Sequence, residues 1–140
     1  MTKGDGRDIA GLALGAAMFE NTNAAKERHR RFVERVVMSR TVWGLKGADV
    51  WASTTSTADT TRGREVIPFW SDSSLATQCA KDAWNNYQAM QIPLDIFIQR
   101  WLPRMALDGC LAGTNWSAQL AGHEIDPDAL RDELARQSGH

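Results

Sequence analysis

Pro93–Gly109, PLDIFIQRWLPRMALDG, is the stretch on which the fold turns. Leu94, Phe97, Ile98, Trp101, Leu102 and Met105 recur at helical spacing and form one continuous apolar face. Asp95, Gln99, Arg100 and Arg104 fall outside it. Pro93 suits a first helical position, where a missing N–H costs nothing. Gly109 suits the stop. Pro103 is the irregularity: it removes the bond to the carbonyl of Gln99 and predicts a kinked or tightened last turn. Such a face needs an apolar partner surface, and a small sheet built from the rest of the chain is the expected one.

Working toward the N-terminus, Ala89–Ile92 reads as a strand leading into that helix. Ser71, Asp72 and Ser73 are capping types before a helix expected over Ser74–Trp84. Glu65–Trp70, EVIPFW, reads as a strand that Pro68 confines to an edge. Thr54–Gly63 has no apolar residue but Ala58 and reads as an exposed loop or a hairpin tip. Thr41–Trp43 and Val50–Ser53 read as short strands around the turn GLKGAD. Asn21–Asn23 supply caps for a helix over Ala24–Ser39, with Phe32, Val33, Val36 and Val37 as its stripe. Its charges, Lys26 to Arg35, read as a solvated face or a contact for an acidic partner. Residues 1–22 form a separate, partly mobile extension, and residues 23–140 a single domain. Toward the C-terminus, Cys110–Thr114 is a strand. Asp126 and Pro127 open a last helix running to about Arg136. The pattern predicts an α+β fold, with a small, largely antiparallel sheet and helices on one face.

The chain has 140 residues, enough for one core, and a net charge of −1. Residues 1–64 carry 11 Lys/Arg against 7 Asp/Glu, and residues 65–140 carry 5 against 10. That small net charge therefore conceals a basic half and an acidic half, without the basic footprint of a nucleic-acid binder. No apolar run reaches a membrane span, and a secretory signal is disfavoured by Asp5 and Asp8, so a cytoplasmic setting is expected. Cys79 and Cys110 have no C-x-x-C companion and read as buried reduced thiols.

The segments HRRFVERVVMSRTVWGL, VIPFWSD, CAKDAW, IPLDIFIQRWLPRMALDG and AGTNWSAQLAGHEIDP resemble the bacterial family known as domain of unknown function 2750 (DUF2750), over roughly His29 to Leu134. The resemblance implies a small intracellular α+β domain. It implies no activity and brings no functional residues with it.

Catalytic constellations are missing from the sequence. His29 sits among arginines, His140 is terminal, and His123, beside Glu124 and Asp126, reads as a surface-loop histidine without the converging ligands of a metal site. No nucleophile elbow or phosphate loop is present, and no cofactor is expected. Six tryptophans against one tyrosine are unusual. Five of them, Trp43, Trp70, Trp84, Trp101 and Trp116, fall at core positions, whereas Trp51 alternates with Val50 and is expected to face outward as an interface anchor. The resulting expectation is a non-enzymatic protein-binding module. Its most concrete form is an immunity protein that neutralises a basic bacterial toxin through Glu124, Asp126, Asp128, Asp132 and Glu133, with Trp51 as a second anchor. The alternative is a small-ligand binder or enzyme with a Trp-lined pocket.

Overall fold

A computed structural model describes the backbone of residues 7–138 and the side chains of residues 23–138. Residues 1–6 of the extension expected to be partly mobile, and His140, lie outside the described residues. Helix α1 (Arg7–Ser39) is followed by β1 (Thr41–Lys46), β2 (Thr54–Thr55), β3 (Glu65–Phe69) and α2 (Ser73–Gln78). Then come β4 (Gln88–Pro93), α3 (Leu94–Ile96), a π turn over Phe97–Trp101, α4 (Leu102–Asp108), β5 (Leu111–Thr114), β6 (His123–Ile125) and α5 (Pro127–Gln137).

The sheet lies in two pieces. One is the antiparallel pair β1–β4, and the other runs β2-β3-β5-β6. Trp43 and Trp70 join them by exchanging N–H···O bonds of 2.8 and 2.7 Å. Three pairings are antiparallel and one, β3 with β5, is parallel. Alternation along the strands sorts their side chains between two clusters. Val42, Phe69, Ile92 and Ala112 meet Phe32, Val33 and Val36 of α1, Leu94, Phe97, Leu102 and Met105 of the central helix, and Leu130 and Leu134 of α5. Leu45, Val66, Trp70 and Leu111 meet Ala76 and Cys79, with Trp84 and Trp116 closing the edge. The α+β expectation therefore stands, with most helices on one face and short α2 sealing a smaller cluster behind.

The central helix has its predicted face and its predicted stop: Gly109 closes α4 with φ 75°. The irregularity expected at Pro103 takes the form of a π turn at Phe97–Trp101, just before the proline. A wider turn there accommodates a carbonyl that cannot receive the proline's missing N–H.

Several boundaries differ from expectation. Helix α1 begins at Arg7 and passes through Asn21–Asn23, where a cap was expected; a run of Ala, Leu and Glu outweighs the weak preference of Asn for a cap. Val50–Ser53 is not a strand: only Trp51 makes a bridge, to Lys46. Thr54–Thr55 pairs antiparallel with β3, so of the two readings of the Thr/Ser run it is the hairpin tip that the structure shows. The helix expected to reach Trp84 stops at Gln78. Asp82, at φ 54°, starts a separate 3₁₀ turn over Asp82–Trp84. Trp51 does not project outward. It is half-buried, its ring edge-on to Trp101 at 4.7 Å, and it lies where a Cβ on Gly44 would come within 2.9 Å.

Candidate functional site

His29 lies on the inward stripe of α1, with Ala25, Phe32, Val33 and Val36 at helical spacing around it. It is 9% exposed. Its Nε2 lies 2.8 Å from Oε1 of Glu133 on α5, and its Nδ1 lies 2.8 Å from Oγ1 of Thr114 at the end of β5. An ionised carboxylate only accepts, so Nε2–H donates to Glu133; in the neutral ring Nδ1 then accepts the Thr114 hydroxyl. His123 on β6 completes the group, its ring centred 4.5 Å from that of His29. Four elements, α1, β5, β6 and α5, thus meet at one polar knot within the fold.

Hydroxyl, imidazole and carboxylate in a row are the parts of a nucleophilic site. Here Thr114 has no exposed surface, so an attacking oxygen at this position would have no path to a substrate carbonyl. The bonds satisfy polar groups that burial would otherwise leave costly. His123 was expected to be a surface-loop residue but is half-buried on a strand. Burial, first, and then the neighbouring His29 and Lys26 charges hold its imidazole below the ordinary range, with Glu133 acting in the opposite direction.

A cleft of about 580 Å³ opens beside His123, lined by Lys26, Trp116, Leu120, Gly122 and Glu124 among others. Trp116 is fixed from both ends. Its Nε1 donates to the carbonyl of His123 at 2.9 Å, and its own carbonyl accepts from Trp70 Nε1 at 3.0 Å. Side chains at Gly113 or Gly122 would strike the indole. Across the loop, Arg28 donates through Nη2 to the carbonyl of Ala121 at 3.3 Å.

The six residues expected to form a binding face separate into groups. Asp126, Asp128 and Asp132 line one open cleft of about 410 Å³ between α4 and α5, together with Arg64 and Ala106. Asp128 and Asp132 are exposed. Asp126 pairs with Arg64 at 3.3 Å and stands at the start of α5 without a capping side-chain bond. Glu133 is turned inward to His29. Glu124 accepts from the buried Ser56 hydroxyl at 2.7 Å, holding the 56–63 loop. Trp51 packs against Trp101, apart from all of these. The basic face of α1 is largely neutralised at close range: Arg30 by Glu27 and Glu34, and Arg35 by Asp72 at 3.1 Å.

Both thiols are free and buried. Burial, followed by the adjacent Glu65 carboxylate, pushes the Cys110 thiol up to about 11, and burial likewise raises Cys79. Among the described residues, no three His, Cys, Asp or Glu side chains are grouped so as to hold a metal ion, and no helix is long and apolar enough to cross a membrane.

The family model for a protein of unknown function, DUF2750, matches residues 29–134. The chain belongs to the DUF2750 family. The match opens on His29 and ends one residue after Glu133, so the whole polar knot of this DUF2750 member lies within it. Searches of curated proteins and of solved structures found no match.

Proposed function

We propose that this DUF2750 protein acts in the cytoplasm by binding a protein partner rather than by catalysis. In its most concrete form it is an immunity protein that neutralises a bacterial toxin by occupying a basic surface. The supporting observation is the cleft between α4 and α5, where Asp126, Asp128 and Asp132 surround one cation, Arg64. A lysine or arginine of the partner would enter beside Asp128 and Asp132, which have no ion-pair partner within the described chain. Exposed charge of this kind accelerates encounter and selects partners more than it adds affinity. The chemistry-bearing side chains agree with a binding role: the His29 network faces inward, and the thiols are buried and hard to ionise.

The test is a tagged pull-down from the native bacterium with identification by mass spectrometry, followed by association kinetics on the captured partner. Charge reversal at Asp128 and Asp132 is expected to slow association severalfold, and added salt to slow the unaltered protein in the same way. An association rate indifferent to both changes would leave the aspartates as a solvated helix face. The second reading, a small-ligand site, draws on the Trp116–His123 cleft. It predicts that His123→Ala abolishes binding of whatever small molecule co-purifies, while Asp128→Lys leaves that binding intact.

A further inference from the structure

Among the described residues, strand β4 has a free edge. On β1, Trp43 directs its N–H and C=O to Trp70, and Leu45 accepts from Ala52 N–H at 2.8 Å. The intervening residues Val42, Gly44 and Lys46 therefore bond β4, through Ile92, Met90 and Gln88 in the observed register. That parity leaves the backbone groups of Ala89 and Gln91 pointing away from the sheet. The open run is closed at both ends. Tyr87 N–H is already bonded to the carbonyl of Trp84 at 3.0 Å, and Pro93 has no N–H. The strand, QAMQIP, carries no charge, and Gln88, Met90 and Gln91 are exposed. Exposed edges are usually blunted by charge or a bulge because they template pairing; this one has only its terminal proline.

We infer that the β4 edge is a self-association surface, which joins two copies of this chain through an antiparallel β4–β4′ pair centred on Met90. In that register Ala89 faces Gln91 of the second copy, and Gln91 faces its Ala89. Each pair exchanges two N–H···O bonds, so all four outward N–H groups are used. The next pair out is Tyr87 with Pro93, where neither residue has a free N–H, so the ladder ends where its donors end. No other symmetric antiparallel register centred within the strand matches donor to acceptor this way. Met90 stacks on Met90 across the two-fold axis, and no like charges meet. A self-complementary patch is what a closed two-fold dimer requires. The contact is short, so dimerisation is expected to depend on concentration.

Sedimentation of the full chain over a range of concentrations provides the test. The expected mass rises from 15.5 kDa toward twice that value. Met90→Lys places two cations face to face, and Gln91→Pro removes an outward donor. Each is expected to return the mass to one chain while leaving the thermal midpoint and circular dichroism unchanged. Met90→Cys gives an independent measurement: under mild oxidant it should form a covalent dimer across the axis, whereas the buried Cys79 and Cys110 of the unaltered protein should not. A mass of one chain at every concentration, or a dimer that survives both Met90→Lys and Gln91→Pro, would overturn the inference. The first result would leave the edge available to an extended segment of another protein.

Discussion

Asp132 and Glu133 are adjacent acids on α5, yet they belong to different kinds of surface. Glu133 points into the fold and accepts from His29, in a place where Thr114 is wholly buried. Asp132 points into an open cleft shared with Asp128. A carboxylate in the first setting stabilises by satisfying a partner that water cannot reach. In the second it is solvated, contributes little to stability, and is available to a partner arriving from outside. One helix therefore has a structural face and a solvated face, the latter the proposed recognition face, separated by a single residue step of about 100°.

The contrast is broken most severely from the His29 side. His29→Leu is expected to cost about 2–4 kcal/mol in urea denaturation, because it strands the Thr114 hydroxyl and leaves Glu133 without its donor. A loss under about 1 kcal/mol would mean that water takes over both bonds and that the knot is less enclosed than its burial implies.

The next effect is one of pH. His123 is held below its ordinary value of 6.5, chiefly by burial. Below about 6.5 the unfolded chain takes up a proton that the folded chain resists, so stability is lost as pH falls toward the depressed value and is retained above 6.5. Denaturation midpoints at about pH 7.5 and about pH 5.5 measure this. His123→Gln should remove part of the difference; an unchanged difference would assign the pH sensitivity to groups other than His123.

The recognition face predicts the reverse combination. Asp128→Lys with Asp132→Lys should shift stability by no more than about 0.5 kcal/mol per site while slowing partner association. A large loss of stability would show that these aspartates support the fold after all. Smallest of all is the expected thiol reactivity. With Cys110 pushed up to about 11 and both thiols buried, native-state labelling at neutral pH should proceed only as fast as the protein opens. Rapid stoichiometric labelling would contradict that.

The acidic face proposed for recognition was more legible in the sequence than the structural one. Asp126, Asp128 and Asp132 lie close together along the chain and obey helical spacing, so local reasoning places them on one helix. The central helix was legible for the same reason, through its uninterrupted stripe from Leu94 to Met105. The knot was not, because its bonds cross 85 and 104 residues. One signal was available: His29 falls four residues after Ala25 and three before Phe32, on the apolar stripe rather than among the arginines that flank it in sequence. Extending that stripe back from Phe32 would have marked His29 as buried, though not named its partners. Trp51 illustrates the converse error. Alternation with Val50 indicated an outward face, but the segment makes only one bridge, so strand periodicity had no claim on it. The parallel pairing of β3 with β5 was also beyond local reach, since nothing in EVIPF or LAGT states which strand lies alongside.

That parallel pair bears on how the chain reaches its native state. β3 ends at Phe69 and β5 begins at Leu111, so α2, β4 and the whole central helix intervene before the two can align. The loop-closure entropy of that crossover must be met before most of the sheet's contacts form. β1 and β4 are likewise far apart along the chain, so only the β2–β3 and β5–β6 pairs can form as local hairpins, and the β1–β4 and β3–β5 pairings must wait for long loops to close. Refolding is therefore expected to be slow for a chain of this length, with the helices able to form before the strands are in place. Stopped-flow fluorescence of the tryptophans, set against far-ultraviolet circular dichroism, would separate the two events. During that interval the uncharged β4 edge is exposed with β1 not yet alongside it, and the nascent chain is most vulnerable to pairing with the wrong neighbour.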